Sequence, residues 1–171
     1  MGDERSIYMG LFDFVKNAGA SIFGKDEPAA PAPQSHHVSP QELEAMKRRK
    51  ALEKLLAEFS LQVEELKIDV QGDTAVVHGM VDDQAEREKV VLALGNVAGI
   101  AHVDDRLETK AKAPEAQMYT VAAGDSLSKI AKHFYGDASK YNAIFVANQP
   151  MLKDPDKIYP GQVLRIPPLA S

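Results

Sequence analysis

The side chains that most often carry chemistry are few in this chain, and their spacing does not form an active site. The 171 residues include no cysteine, which excludes disulfides, thiolate metal ligands and a cysteine nucleophile. His78, His102 and His133 are scattered without the spacing of a metal site. Asp104 and Asp105 are neighbours, and on a strand they would point to opposite faces. No Ser/His/Asp trio or phosphate-binding glycine loop has a recognisable setting, so we expect a protein that is not an enzyme.

The elements that would position any site begin with an amphipathic segment over residues 9–23. One face of a 3.6-residue repeat there carries Leu11, Phe12, Val15, Ala18, Ile22 and Phe23. We therefore interpret residues 1–25 as an N-terminal helical segment that docks on the next domain. Residues 26–38 are rich in Pro and Ala and predict an extended linker, in which we interpret His36 and His37 as solvated.

Residues 39–108 predict a small domain in the order helix, strand, strand, helix, strand. Ser39-Pro40-Gln41-Glu42 is typical of a helix start with a capping box, and this helix is expected to run to about Phe59. Alternating apolar and polar residues predict two strands joined by a turn at Gly72-Asp73. A second helix over about 83–94 is followed by a glycine-bracketed turn at 95–100 and a third strand. Parallel pairing of strands would need the second helix as the crossover.

A second linker is predicted at 109–117 and a second domain at 118–168. A short strand at 118–121 precedes a helix around 126–134, another helix beginning at Asp137, and a closing strand at 163–166. The fold class is therefore α+β, an αββαβ domain followed by a βααβ domain. From Met118 onward, six Lys and Arg residues outnumber four Asp and Glu residues, whereas the whole chain has a net charge of −5. This contrast supports two separate units.

The second domain resembles a LysM module. The resemblance rests, in order, on Tyr119-Thr120-Val121, Gly124 to Ala131, Phe134-Tyr135-Gly136, Ile144 to Asn148, and Ile158 to Pro167. It implies binding of N-acetylglucosamine-containing glycans in a groove between two loops. The residues implied are Asp125, Ser126, Leu127, Asn148, Gln149, Ile158 and Tyr159. The pattern alone also fits core positions for Ile158 and Tyr159 and a helix cap for Asp125.

The first domain resembles a BON domain, through Gly79, the helix that carries Val90 to Leu94, and the segment from Gly95 to Asp105. With the LysM module behind it and Met9 to Lys16 ahead of it, the arrangement resembles the bacterial BON–LysM potassium-binding proteins. The resemblance covers residues 9–24 and about 60–168. It implies a cytoplasmic K⁺ sensor or buffer that binds K⁺ selectively and becomes more compact.

A physical K⁺ site can be proposed on main-chain oxygens. K⁺ is matched by neutral carbonyl oxygens rather than by packed carboxylates. Carbonyls at helix C-termini are unpaired and lie at the negative end of the helix dipole. If the N-terminal segment docks on the turn at 95–100, the carbonyls of two such ends would converge. The resemblance points to the same positions, namely Val15, Ala18, Gly19, Gly95, Val97 and Ile100. The alternative from pattern alone is that residues 95–100 are only a helix end and a turn.

Charge and targeting signals narrow the remaining functions. A net charge of −5 gives no indication of nucleic-acid binding, and the basic cluster at 47–50 is surrounded by glutamates. No signal peptide or membrane span is recognisable, so we expect a cytoplasmic monomer, with Met1 or Met9 as its native start. Binding of a glycan or of a protein partner through the LysM module remains the alternative to K⁺ binding.

Overall fold

The computed structural model describes residues 11–14 and 38–169, which form helices and strands of mixed type. In chain order the elements are β1 (Leu11–Asp13), α1 (Pro40–Glu58), β2 (Glu64–Gln71), β3 (Thr74–Val81), α2 (Gln84–Gly95), β4 (His102–Thr109), β5 (Gln117–Thr120), α3 (Leu127–Tyr135), α4 (Tyr141–Ala147) and β6 (Val163–Ile166). A short 3₁₀ turn, Ala138–Lys140, precedes α4. The predicted α+β class is confirmed.

The first domain is a four-stranded sheet in the order β1-β4-β3-β2, with α1 and α2 packed against it. β2 and β3 form an antiparallel hairpin. β3 and β4 run parallel, and α2 is the crossover that parallel neighbours require. The apolar core between the sheet and the helices includes Leu52, Leu56, Ile68, Val70, Ala75, Val77, Val81, Val90, Val91, Leu94, Val103 and Leu107.

Helix α1 begins at the residues that the sequence indicates. The Oγ of Ser39 accepts a hydrogen bond from the N–H of Glu42 at 3.2 Å, and the Glu42 carboxylate accepts one from the N–H of Ser39 at 2.8 Å. Pro40 occupies the first helical position, where its missing N–H has no cost. These two reciprocal hydrogen bonds form the predicted capping box.

The second domain is the predicted strand-helix-helix-strand unit. β5 and β6 pair antiparallel and form a two-stranded sheet. The Ser126 side chain caps the first turn of α3, and Gly136 ends this helix in the left-handed conformation. The core of the domain is formed by Val121, Leu127, Ile130, Ala131, Ile144, Leu152, Leu164 and Ile166.

The N-terminal segment differs from its prediction. A helix was expected over 9–23, but Leu11–Asp13 is strand β1, paired antiparallel with β4 so that Phe12 lies opposite Val103. The apolar spacing that fits a helix is overridden here, because β4 offers these residues a strand edge to pair with. The rest of the predicted helix and the 26–37 part of the linker lie outside the described residues. Among the helices of the described ranges, none is both long and apolar enough to cross a lipid bilayer.

Candidate functional site

The turn that follows α2 presents main-chain oxygens at a helix C-terminus. The N–H of Asn96 donates to the carbonyl of Leu92 at 3.0 Å, and the N–H of Ile100 donates to the carbonyl of Val97 at 3.1 Å. Gly99 has a φ of +89°, a conformation that favours glycine. The carbonyl oxygens of Gly95 and Ile100 accept no hydrogen bond from another described residue. Within the described residues, the turn therefore offers main-chain acceptors at the negative end of the α2 dipole.

Phe14 brings the N-terminal chain onto this turn. Its N–H donates to the carbonyl of Ala101 at 2.6 Å, and its side chain is only 9% exposed. The ring lies so close to Gly95 that a Cβ built on this glycine would overlap three ring carbons. The Phe14 ring thus packs directly on Gly95, and any larger residue at position 95 would displace the ring.

The six predicted carbonyl donors divide into two groups. Gly95, Val97 and Ile100 share the turn after α2, with Gly95 and Ile100 buried and Val97 packed at the edge of the core. Val15, Ala18 and Gly19 lie outside the described residues, although Phe14, the residue before Val15, is on the turn. The described part of the chain holds no group of three or more His, Cys, Asp or Glu side chains able to bind a metal ion. Arg48 lies near Gly99 of this turn, and its guanidinium donates to the carbonyl of Gly72 at 2.9 Å.

The same turn is in direct contact with the second domain through Asn96. Its side-chain amide donates to the carbonyl of Val163 at 3.0 Å, and its Oδ1 accepts from the N–H of Val163 at 2.9 Å. Asn148 makes the same pair of hydrogen bonds with Arg165, both at 2.9 Å. Two asparagine side chains therefore complete the edge of β6 that faces away from β5.

A buried ion pair lies beside this contact. One oxygen of Glu88 on α2 accepts from the guanidinium of Arg165 on β6 at 2.7 Å, and the two side chains are 4% and 8% exposed. Its other oxygen accepts from the Gln84 amide at 3.1 Å and from the N–H of Ala116 at 2.8 Å. Every oxygen of this buried carboxylate is thus paired, as a buried charge requires.

Apolar side chains fill the rest of the seam between the domains. Val163 of β6 belongs to the core of the first domain, and Met118 and Met151 pack against that core. A cavity of about 30 Å³ remains at the seam, lined by Phe59, Leu92, Ala93, Asn96, Met151, Tyr159 and Gln162. Burial raises the pKa of Tyr159 to about 12. The two domains are therefore joined by apolar packing, one buried ion pair and one amide pair.

The glycan residues that the LysM resemblance implies serve several structural roles. Leu127 is 2% exposed in the core, and Asn148 is 2% exposed and hydrogen-bonded to Arg165 and Ile144. Asp125 accepts from the Tyr119 hydroxyl at 2.7 Å and from the N–H of Ala122 at 2.8 Å. These two hydrogen bonds, that of Ala122 first, hold the pKa of Asp125 below its usual value.

The remaining glycan residues lie nearer the surface. Ser126 caps α3, Gln149 is exposed, Ile158 packs against the second core, and Tyr159 lines the seam. Among these seven positions, only Gln149 is exposed. Glycan binding stays a prediction.

The acidic pair on β4 behaves as its strand position predicts. Asp105 is 2% exposed and accepts from the Arg87 guanidinium at 2.8 Å, whereas Asp104 pairs with Arg106 on the other face. Burial raises the pKa of Asp105, against the lowering effect of the Leu107 N–H and of Arg87. The two carboxylates therefore do not share a site.

Sequence reasoning missed the residues that join the domains. The pattern places Asn96 in a turn and gives Glu88, on the polar first half of its helix, no indicated partner. Arg165 does give an indication, because a charged residue in a short apolar strand is buried only when it is paired. Phe14 lies off the apolar face of the predicted helix, so the sequence gives no indication of its burial against Gly95.

Comparisons with known proteins identify both domains. The BON domain model matches residues 47–111, and the LysM domain model matches residues 119–167. The chain is 43% identical to the potassium binding protein Kbp of Escherichia coli over 159 residues, which cover 93% of this chain and 99% of that protein.

Two more relatives match over shorter stretches. An uncharacterized protein of Deinococcus radiodurans is 36% identical over 113 residues, 58% of this chain and 44% of that protein. An esterase of Mycobacterium tuberculosis is 51% identical over 53 residues, but these are 31% of this chain and only 11% of the esterase. So short a match carries no inference about catalysis.

Proposed function

This chain belongs to the family of the potassium binding protein Kbp, and from this premise we propose that it binds K⁺ through main-chain carbonyl oxygens. The proposed donors are the turn after α2 and the N-terminal segment that follows Phe14, namely Gly95, Val97, Ile100, Val15, Ala18 and Gly19. The BON domain and the segment before it would hold the ion, and the LysM module would close against them.

One observation carries this proposal: the Phe14 ring occupies the space that Gly95 leaves by having no side chain. This contact fixes the chain just before Val15 at the turn whose Gly95 and Ile100 oxygens accept no hydrogen bond from the described residues. Two separate stretches of main chain meet at one helix C-terminus as a result. The dipole of α2 adds a favourable field for a cation there.

The chemistry suits a weakly hydrated monovalent cation. Carbonyl oxygens can replace its hydration shell without the cost of bringing carboxylates together. Carbonyl ligands also explain why Val, Ala and Gly are enough to build such a site. We propose that the ion stabilises the closed arrangement by mass action, since it would bind only when both stretches are in place. In the cytoplasm, where K⁺ is plentiful, such a protein would serve as a K⁺ sensor or buffer.

The test compares KCl with NaCl on the full-length protein and on two glycine variants. We expect KCl to raise the melting temperature and to reduce the radius of gyration in solution scattering at concentrations where NaCl does little. Gly95→Ala should weaken K⁺ binding, because the added methyl group overlaps Phe14. Overpacking of this kind costs about 1–3 kcal/mol, or roughly a 5- to 150-fold loss of apparent affinity.

Gly72→Ala is the matched control. A Cβ at Gly72 would meet nothing within 4 Å, and its φ of +63° makes the substitution mildly strained without a clash. This variant should lose some stability and keep the K⁺ affinity of the parent protein. Equal responses to KCl and NaCl in the parent protein would contradict the proposal, as would a Gly95→Ala variant that binds K⁺ as the parent does.

A further inference from the structure

The outer edge of β6 is completed by two asparagines that belong to different domains. Val163 and Arg165 are two residues apart, so their main-chain groups point to the same edge of the strand. Asn148 from α4's C-terminus pairs with Arg165, and Asn96 from the turn after α2 pairs with Val163. Each amide supplies one donor and one acceptor, as a neighbouring strand would.

The side chain of Asn96 directly links the turn after α2 to the LysM module. Its main chain lies between Gly95 and Val97, two of the proposed K⁺ donors, and its N–H holds the last turn of α2 through Leu92. Its side chain ends on Val163 of the LysM module. A change in the backbone of the turn therefore moves the amide relative to β6.

We infer that Asn96 is a positioning residue that couples the ion-binding turn to the seating of the LysM module. This inference rests on the K⁺ function proposed above. With K⁺ on the turn, the backbone of Asn96 is fixed and its amide is aligned with Val163. Without K⁺, the turn is free to rearrange and the pair opens. Because coupling free energy is reciprocal, the seated module strengthens K⁺ binding by the same factor that K⁺ favours seating.

The structure provides an internal reference for the test. The N–H of Val163 is held by Asn96 from the other domain, and the N–H of Arg165 is held by Asn148 of its own domain. Amide hydrogen exchange, measured by NMR on the full-length protein in KCl and in NaCl, reads both groups in one sample. We expect KCl to slow the exchange of the Val163 N–H by about five- to tenfold relative to NaCl, a typical size for coupling between sites. The Arg165 N–H should respond much less.

Two variants then test the role of the side chain. Asn96→Ala should exchange the Val163 N–H rapidly in both salts and should bind K⁺ about five- to tenfold more weakly, by the reciprocity just described. Asn96→Asp keeps an acceptor for the Val163 N–H and loses the donor to its carbonyl, so it should recover part of the protection. The experiment on the parent protein needs no variant, so a poorly folded Asn96→Ala would not decide the result.

The outcomes separate this inference from the function on which it rests. K⁺ binding with equal KCl and NaCl exchange at Val163 overturns the coupling and leaves the proposed function standing. An Asn96→Ala variant that is well folded and binds K⁺ as tightly as the parent also overturns the coupling. If the parent protein does not bind K⁺ at all, both proposals fall together.

Discussion

The two domains differ in how much of their structure each one holds by itself. The first domain has a four-stranded sheet and a core supplied by its own helices. The LysM module has a two-stranded sheet, and half of the outer edge of β6 is completed by Asn96 of the other domain. Val163 of this strand is buried in the core of the first domain. The two strands of the module have the support of its own helices and core, and the contact adds partners for the outer edge of β6.

Because of this difference, we expect changes in the first domain to affect the LysM module more than the reverse. A change at the turn after α2 reaches the LysM module through Asn96, Val163 and the ion pair between Glu88 and Arg165. The first domain completes its own sheet, and from the LysM module its core takes Val163, with Met118 and Met151 packed against it. The proposed ion-binding turn therefore lies at the contact through which the larger domain would affect the position of the smaller one.

The largest expected effect comes from Arg165→Met. Removing this partner leaves the Glu88 carboxylate buried without the hydrogen bond and the ion-pair contact that Arg165 gives it, which typically costs about 3–5 kcal/mol of folding free energy. Unfolding in urea should show the loss. It should be concentrated in the LysM module and its contact with α2.

The matched control for Arg165→Met is the double variant Glu88→Gln with Arg165→Met. It removes both charges and keeps similar side-chain volumes, so it should recover most of the lost stability. A double variant as unstable as the single one would show that the ion pair is not what makes Arg165 important.

Asn148→Ala and Asn96→Ala form the next comparison. Asn148 is buried, so its removal leaves the main-chain groups of Arg165 without partners and should cost about 1–3 kcal/mol in either salt. Asn96 is only half-buried, so water can replace part of its amide. The loss of folding free energy in Asn96→Ala should therefore be smaller than in Asn148→Ala, and it should depend on K⁺. Thermal unfolding of both variants in KCl and NaCl measures this. A K⁺-dependent loss at Asn148 would contradict the proposed division of roles.

The smallest expected effect is on the pH dependence of the LysM module through Asp125. Its pKa in the folded protein is lowered by hydrogen bonds from Ala122 and Tyr119. A lowered pKa means that the unfolded chain binds the proton more readily than the folded protein does. Asp125 therefore stabilises the fold at pH values above its unfolded pKa near 3.8, and this stabilisation is lost as the pH falls through the lowered pKa. Thermal unfolding between about pH 2 and 6 should show a shallower slope in Asp125→Asn than in the parent protein. Identical slopes would contradict this.

The sequence predicts most of the helices and strands of each domain, but it does not predict the residues that join the two domains. The capping box at Ser39, the turn at Gly72 and the closing strand β6 follow from local patterns, and the structure has all three. Strand β1 could not be predicted, because its pairing depends on β4, roughly ninety residues further along the chain.

The residues of the contact between the domains are hard to predict from the sequence for the same reason. Asn96 and Val163 are 67 residues apart, and Glu88 and Arg165 are 77 apart. Nothing local to either member of these pairs reveals the other. For the proposed ion site, the sequence predicts a source of carbonyls at the turn 95–100. The contact of the Phe14 ring with Gly95 cannot be predicted, because it is tertiary.

The most direct test of K⁺ ligation is a carbonyl-carbon NMR titration of the uniformly ¹³C-labelled protein with KCl, and with NaCl at the same ionic strength. If K⁺ binds the proposed carbonyl oxygens, saturable K⁺-specific shifts will appear at Gly95, Val97 and Ile100, together with Val15, Ala18 and Gly19, all with one midpoint. Shifts of equal size in both salts, or K⁺-specific shifts confined to carboxylate side chains elsewhere, would contradict it.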